Sequence, residues 1–305
     1  MTPTFLPRSA ASSFLSAKAS LMAPSSASTP KQSNHASNVV RPIKTAPDDR
    51  VKPDRRRAQE RPQSIRPTHF LSLPIGHHAD LRTRVSHLHA RIKAHAPPIV
   101  GIDPSILVDP RRLHFTLGVM TLVDADRAAP SGADEPTAPT KTVAEALALL
   151  RSLKTQVAEI SAGGLLALPL DHMGVLKTHH EEAGVLYVAP KDEEEEETKK
   201  IRRIVDLVAR RFQEEGFIHE TRPVLLHCTL INASHRRPRR SPKWFSYQEV
   251  FALASPEGRT ANINAEARSA DVDLGAWTAS EIQLCRMGSH GPENEYFSCG
   301  SILLS

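Results

Sequence analysis

The chain has 305 residues, a formal net charge of +5 and a pI near 9.2. That mild basicity is compatible with a phosphate-bearing partner without requiring one. No run of about 18 apolar residues occurs, which excludes an ordinary transmembrane helix. The three cysteines, Cys228, Cys285 and Cys299, are odd in number and lack zinc-site spacing, so they read as reduced thiols of an intracellular protein.

Residues 1–66 are rich in Ser, Ala, Pro, Lys and Arg and have no hydrophobic period. A segment that cannot bury enough apolar surface to offset its ordering entropy is expected to be a disordered tail. Residues 67–305 then form the folded domain. Residues 1–47 contain no Asp or Glu but carry Arg8, Lys18, Lys31, Arg41 and Lys44, the composition of a mitochondrial transit peptide. The cluster "RVKPDRRRAQERPQSIR" has the character of a nuclear address or nucleic-acid arm. The two readings compete, so nucleus, cytoplasm and mitochondrion all stay open.

In chain order, "THFLSLPI" (68–75) reads as a strand. Residues 78–95 follow with Leu81, Val85, Leu88 and Ile92 at helical steps of four and three. "RRLHFTLGVMTL" (111–122) is the next strand, and 124–140 a loop. Residues 142–161 form a helix that Thr142 caps before Glu145. A strand weakened by Pro169 covers 165–176. The order then repeats: strand 184–190, helix 194–216 with an acidic start and a stop at Gly216, strand 223–232. A short helix at 246–255 and strands within 272–287 and 296–304 complete the chain.

Strand, helix and a strand ending in His-x-Thr thus occur twice, in "LHFTLGVMTL" and "LLHCTLINAS". The repeat suggests two similar lobes about an approximate two-fold axis. Alternation along a strand places His114 and Thr116 on one face, with Leu113, Phe115, Leu117 and Val119 behind; His227 and Thr229 share a face with Leu226, Cys228 and Leu230 behind. Two imidazoles on one cleft make an acid/base pair whose ordinary pKa lies near neutrality. The threonine hydroxyls would hold non-bridging phosphate oxygens. No metal or other cofactor is needed by this scheme.

The motifs "HFTL" and "HCTL" resemble the two H-x-T motifs of the 2H phosphoesterase superfamily, the 2′–5′ RNA ligase-like proteins. The resemblance covers residues 67–305 and is greatest to the domain shared by A-kinase anchoring proteins (A-kinase anchoring protein 7-like) and subunit 1 of the activating signal cointegrator complex. "PTHFLSLPI", "SILVDPRRLHFTLGVMTL", "ARRFQEEGFI", "LLHCTLIN" and "YFSCGSILLS" carry it. It implies a bilobal α+β fold with a central cleft and His114, Thr116, His227 and Thr229 as the site residues. Residues 1–66 contain no G-x-x-G loop, so delivery of RNA by a KH domain, as in the cointegrator subunit, is not expected here.

The loop after the second motif, "SHRRPRRSPK", places Arg236, Arg237, Arg239, Arg240 and Lys243 beside the expected cleft, as RNA-backbone contacts or as a solvated loop. Tyr187, Tyr296 and Phe297 are candidates for base stacking, with core packing the simpler reading. The run "DEEEEET" (192–198) reads as a solvated helix start, and His77–His78, His179–His180 and His87-x-His89 diverge too much to ligate a metal. The expected activity is that of a metal-independent phosphodiesterase on RNA ends, 2′,3′-cyclic phosphates or 2′–5′ linkages. The alternative is a non-catalytic nucleotide- or RNA-binding or scaffold subunit of a coactivator or DNA-repair complex. The expected partners are an RNA or nucleotide substrate and a cointegrator-type complex, for a monomer that does not enter membranes.

Overall fold

A computed structural model describes residues 66–123, 141–164, 166–191, 194–239, 241–254, 263–264 and 268–304. The expected tail (1–66, except its last residue), the expected loop 124–140 and Arg240 lie outside the described residues. Those that are described belong to one compact unit, Arg61–Ser305. Among them no helix is long and apolar enough to cross a membrane.

The first half opens with β1 (His69–Pro74), followed by α1 (Ala79–Ala94). Helix α1 buries Leu81, Val85, Leu88 and Ile92, the residues its periodicity selected, and His89 beside them. Strand β2 (His114–Met120) begins later than expected. The two arginines before it belong to a 3-10 turn, Pro110–Arg112, because the Asp109 side chain accepts the Arg111 N–H and Pro110 takes the first helical position. The expected helix 142–161 is two helices, α2 (Val143–Ser152) and α3 (Lys154–Ser161). The predicted Thr142–Glu145 capping box opens α2. The break follows Ser152, whose hydroxyl donates to the Leu149 carbonyl and leaves the Leu153 N–H to bond Leu150.

The expected strand 165–176 is also divided, into β3 (Leu166–Pro169) and β4 (His172–Leu176), because Pro169 has no N–H to extend a ladder. Then come β5 (Glu182–Ala183), β6 (Val185–Ala189), α4 (Glu196–Glu214) and β7 (Cys228–Asn232). Helix α4 turns Ile201, Ile204, Val205, Val208 and Phe212 into the core and ends before Gly216 at φ +72°. The chain continues through β8 (Phe245–Ser246), α5 (Gln248–Ala254), β9 (Ile263–Asn264), β10 (Ser269–Asp271), β11 (Ala276–Ala279), β12 (Glu281–Arg286) and β13 (Ser298–Leu303).

The main sheet has the order β13-β12-β1-β2-β7-β6-β4-β10-β9. Its centre explains the architecture. The middle residues of the two His-x-Thr motifs, Phe115 and Cys228, are paired across β2 and β7. An approximate two-fold axis through that pair exchanges β1–β2 with β7–β6, the two lobes of an α+β fold with the two motifs at its midline. Each half carries the same irregularity. Ser72 pairs with Thr116 and Leu71 with Gly118, so Leu117 is an extra residue in β2. Tyr187 pairs with Thr229 and Leu186 with Ile231, so Leu230 is an extra residue in β7.

The bulge corrects one expectation. A bulge shifts alternation by one residue, so Val119 leaves the core face, is 37% exposed, and Met120 is buried instead. Gly118 sits at this shift. A Cβ there would lie 2.2 Å from Cδ1 of Ile218, which follows α4, so the glycine permits the chain after α4 to pack against β2.

Candidate active site

His114 and His227 are held in the same way. Nδ1 of His114 donates to the Arg112 carbonyl at 2.7 Å, and Nδ1 of His227 to the Leu225 carbonyl at 2.8 Å. In each case the acceptor lies two residues earlier. In a neutral ring so held the proton is on Nδ1, and Nε2 is the basic nitrogen that faces the site. The Thr116 hydroxyl donates to Nε2 of His114 at 3.1 Å. His114, Thr116, His227 and Thr229 are all part-buried, while Leu113, Phe115, Leu226, Cys228 and Leu230 behind them are buried, as the alternation predicted.

Aromatic rings frame both imidazoles. Tyr296 stands edge-on to His114 at 5.2 Å and Tyr187 edge-on to His227 at 5.6 Å, centroid to centroid. Both tyrosines are part-exposed at the site and are not core residues. Phe297, by contrast, is 52% exposed, with the Arg286 guanidinium near its ring. Phe70 lies 5.1 Å from the His114 ring. This enclosure leaves His114 part-exposed but desolvates the imidazole enough to lower its pKa to about 4; the Arg112 carbonyl bond opposes the shift, and repulsion from His227 and Arg112 adds to it. Burial also raises the Tyr187 phenol and pushes the Cys228 thiol up to about 12, which keeps the central cysteine a thiol.

The sequence pattern did not single out Arg112, although it is integral to the site. Its carbonyl orients His114, and its guanidinium lies 3.8 Å from the Tyr296 ring centroid. The same guanidinium donates to the Asn294 carbonyl at 3.1 Å, and Asp109 accepts from the Asn294 amide at 2.6 Å. Arg111 pairs with Glu293. The segment between β12 and β13 is thereby fastened to the turn that leads into the first motif. A cavity of about 760 Å³ adjoins His114 there, with Ser72, Arg82, Arg111, Arg112 and Tyr296 in its wall. Only the Asp-Pro pair at 109–110, a turn signal, was available in sequence to mark this lead-in.

The basic loop divides. Arg236 is 8% exposed and donates to the Gly101 carbonyl at 2.5 Å. It is thus a buried anchor of the loop, unlike the surface contact expected of it. The Arg237 N–H is held by the Ser105 hydroxyl, and Arg237, Arg239 and Lys243 are exposed. Among the described residues no group of three or more His, Cys, Asp or Glu side chains is placed to hold a metal ion. The neighbouring pairs His77–His78 and His179–His180 do not diverge as expected: their ring centroids lie 4.0 and 4.3 Å apart.

Comparison with known proteins adds the following. Residues 67–304 match the AKAP7 2′5′ RNA ligase-like domain family. No curated protein matches the chain. Among solved structures, E. coli LigT complexed with 3′-AMP is 12% identical with a TM-score of 0.42, covering 78% of this chain and 98% of its own. The Thermus thermophilus protein TT0787 is 15% identical with a TM-score of 0.40, covering 78% of this chain and 97% of its own. The chain belongs to the AKAP7 2′5′ RNA ligase-like domain family, within the 2H phosphoesterase superfamily.

Proposed function

We propose that the protein is a metal-independent phosphodiesterase that acts on RNA ends, 2′,3′-cyclic phosphates or 2′–5′ linkages. The observation that carries this reading is the pairing of Phe115 with Cys228, which sets the two His-x-Thr motifs side by side at the centre of one sheet. A phosphate on this face would meet an imidazole and a hydroxyl from each half.

The roles follow from electrostatics. His114, with a pKa near 4, is neutral at pH 7 and offers Nε2 as the base. In hydrolysis of a cyclic phosphate it takes a proton from water as the water oxygen bonds to phosphorus. The bond from phosphorus to a ribose oxygen breaks, and protonated His227 gives that oxygen its proton. Proton exchange with solvent restores both rings. The Thr116 hydroxyl turns from Nε2 of His114 to a non-bridging oxygen, and Thr229 serves the opposite side, where negative charge builds in the transition state.

The test is a turnover assay with 2′,3′-cyclic nucleotides and with 2′–5′ and 3′–5′ oligonucleotides, comparing the wild-type chain with His114→Ala and His227→Ala. Product formation that both variants slow by about two to four orders of magnitude is expected. Binding of nucleotides with no product in any case would sink the catalytic reading and leave a binding module.

A further inference from the structure

We propose that the cavity lined by Lys177, Arg236, Arg239 and Lys243 is a second phosphate site. It holds an internucleotide phosphate of an oligonucleotide whose reacting phosphate lies between His114 and His227. The inference rests on the phosphodiesterase reading above and narrows its substrate to a chain longer than one nucleotide.

The cavity measures about 640 Å³, and Asn232, at the end of β7, forms part of its wall. After the bulge in β7, Leu230 and Ile231 are both buried and Asn232 is part-exposed, so the open face of the strand reads His227, Thr229, Asn232. The five residue steps from His227 to Asn232 span about 16 Å of strand, within reach of a short oligonucleotide that leaves the histidines along β7.

The lining is built for an anion. Its described charged groups are all positive. They come from two separate parts of the chain: Lys177 from the turn after β4, and Arg236, Arg239 and Lys243 from the loop after β7. Lys177 holds φ +57°, an uncommon region for a side chain of its size. It packs over Gly184, where a Cβ would lie 3.2 Å from its own Cβ. Arg236 is only 8% exposed, and its Nε has no hydrogen-bond partner among the described residues. A buried donor without an acceptor is costly; with Nε closed to solvent, Arg236 would act on a phosphate in the cavity through its charge. Asp103 feels the Arg236 charge, but its carboxylate is already engaged by the Ser105 N–H and hydroxyl.

Further positive charge lies near His235, three residues past Asn232: after partial burial, Arg237 and Arg112 both lower its pKa. A polyanion passing these cations would exchange released counterions for fixed ones at each step.

The experiment measures binding of a fluorescein-labelled tetranucleotide and of a nucleoside 3′-monophosphate across a salt series, using the full chain. Lys177→Ala and Lys243→Ala are the test variants; Arg236 is left intact because it bonds Gly101. Each variant should weaken tetranucleotide binding about three- to tenfold and reduce the salt slope by about 0.7, one single-strand contact. Monophosphate binding should not change. Equal affinity and slope in wild type and both variants, or a tetranucleotide bound no better than the monophosphate, would overturn the site. The two readings separate cleanly: lysine-dependent binding without turnover sustains the pocket and defeats the enzyme, and turnover of cyclic mononucleotides without a chain-length effect does the reverse.

Discussion

The β1–β2 half and the β6–β7 half share a scaffold but give their histidines different surroundings. In both, the motif is followed by a one-residue bulge, the imidazole Nδ1 bonds a carbonyl two residues earlier, and a tyrosine stands edge-on to the ring. The first half adds Phe70, the Arg112 guanidinium and the loop between β12 and β13. The second leaves its histidine beside Leu225, which is 42% exposed. Symmetric backbone supplies symmetric positions, and the proposed reaction uses the asymmetric surroundings to set one ring as base. Such divergence of environment around a matched pair is how acid and base roles are divided.

The strongest way to break this comparison is to remove each ring. His114→Ala and His227→Ala should each lower kcat by about two to four orders of magnitude. The double variant should be little worse than the worse single one, because groups acting in one relay are non-additive. Additive losses would mean that the two halves do not act on the same phosphate. Next come the hydroxyls: Thr116→Ala and Thr229→Ala should cost about one to three orders. Thr116 also donates to His114, so Thr116→Ala should change the pH profile as well as the rate, and a rate change alone in both variants would erase the difference claimed between the halves.

Much of this was legible in the sequence because its signals were local. The two motifs, their facing residues, the α1 stripe and the Thr142 capping box each depend on spacing within a few residues. What was not legible depended on distant partners. Nothing near Val119 announces the bulge, which is fixed by how β1 pairs with β2. Arg236 looks like its exposed neighbours in sequence and is buried only because the Gly101 carbonyl lies opposite it. Arg112 gains its role from Tyr296, which is remote along the chain.

A third test sharpens the comparison through pH. The acidic limb of kcat/KM should fall near pH 4, where His114 takes its proton, well below the ordinary imidazole value of 6.5. The stability consequence has a definite sign. The unfolded chain protonates His114 below about pH 6.5, but the folded protein resists until about pH 4, so stability is full above that window and falls as pH drops through it. The ceiling is about 3 kcal/mol for this group. His89, also lowered to about 4 by burial, acts in the same window. Denaturant melts at pH 7, 5.5 and 4 should therefore show a shallower loss in His114→Asn than in wild type, with the remainder due to other histidines. Equal pH dependence would mean that His114 is not desolvated.

The smallest expected effects come from the tyrosines, and they probe how each half builds its wall. In the second half Tyr187 pairs with Thr229, and its ring lies over Gly174, where a Cβ would come within 2.5 Å of the ring. The position matching Tyr187 in the first half is Ser72, the partner of Thr116, and the wall there is supplied instead by Tyr296 from a loop. Gly174→Ala should displace the Tyr187 ring and lower kcat about two- to fivefold at an overpacking cost of about 1–3 kcal/mol. Tyr187→Ala should reproduce the rate loss without that cost. Tyr296→Ala should behave differently. Opening His114 to water should raise its pKa from about 4 towards 6.5 and carry the acidic limb with it. Histidine ring titration by NMR would follow His114 directly. If Tyr187→Ala and Tyr296→Ala produce the same change in rate and no movement of the His114 titration, the enclosure by Tyr296 is not what separates base from acid, and the low pKa must be traced to Phe70 and Arg112.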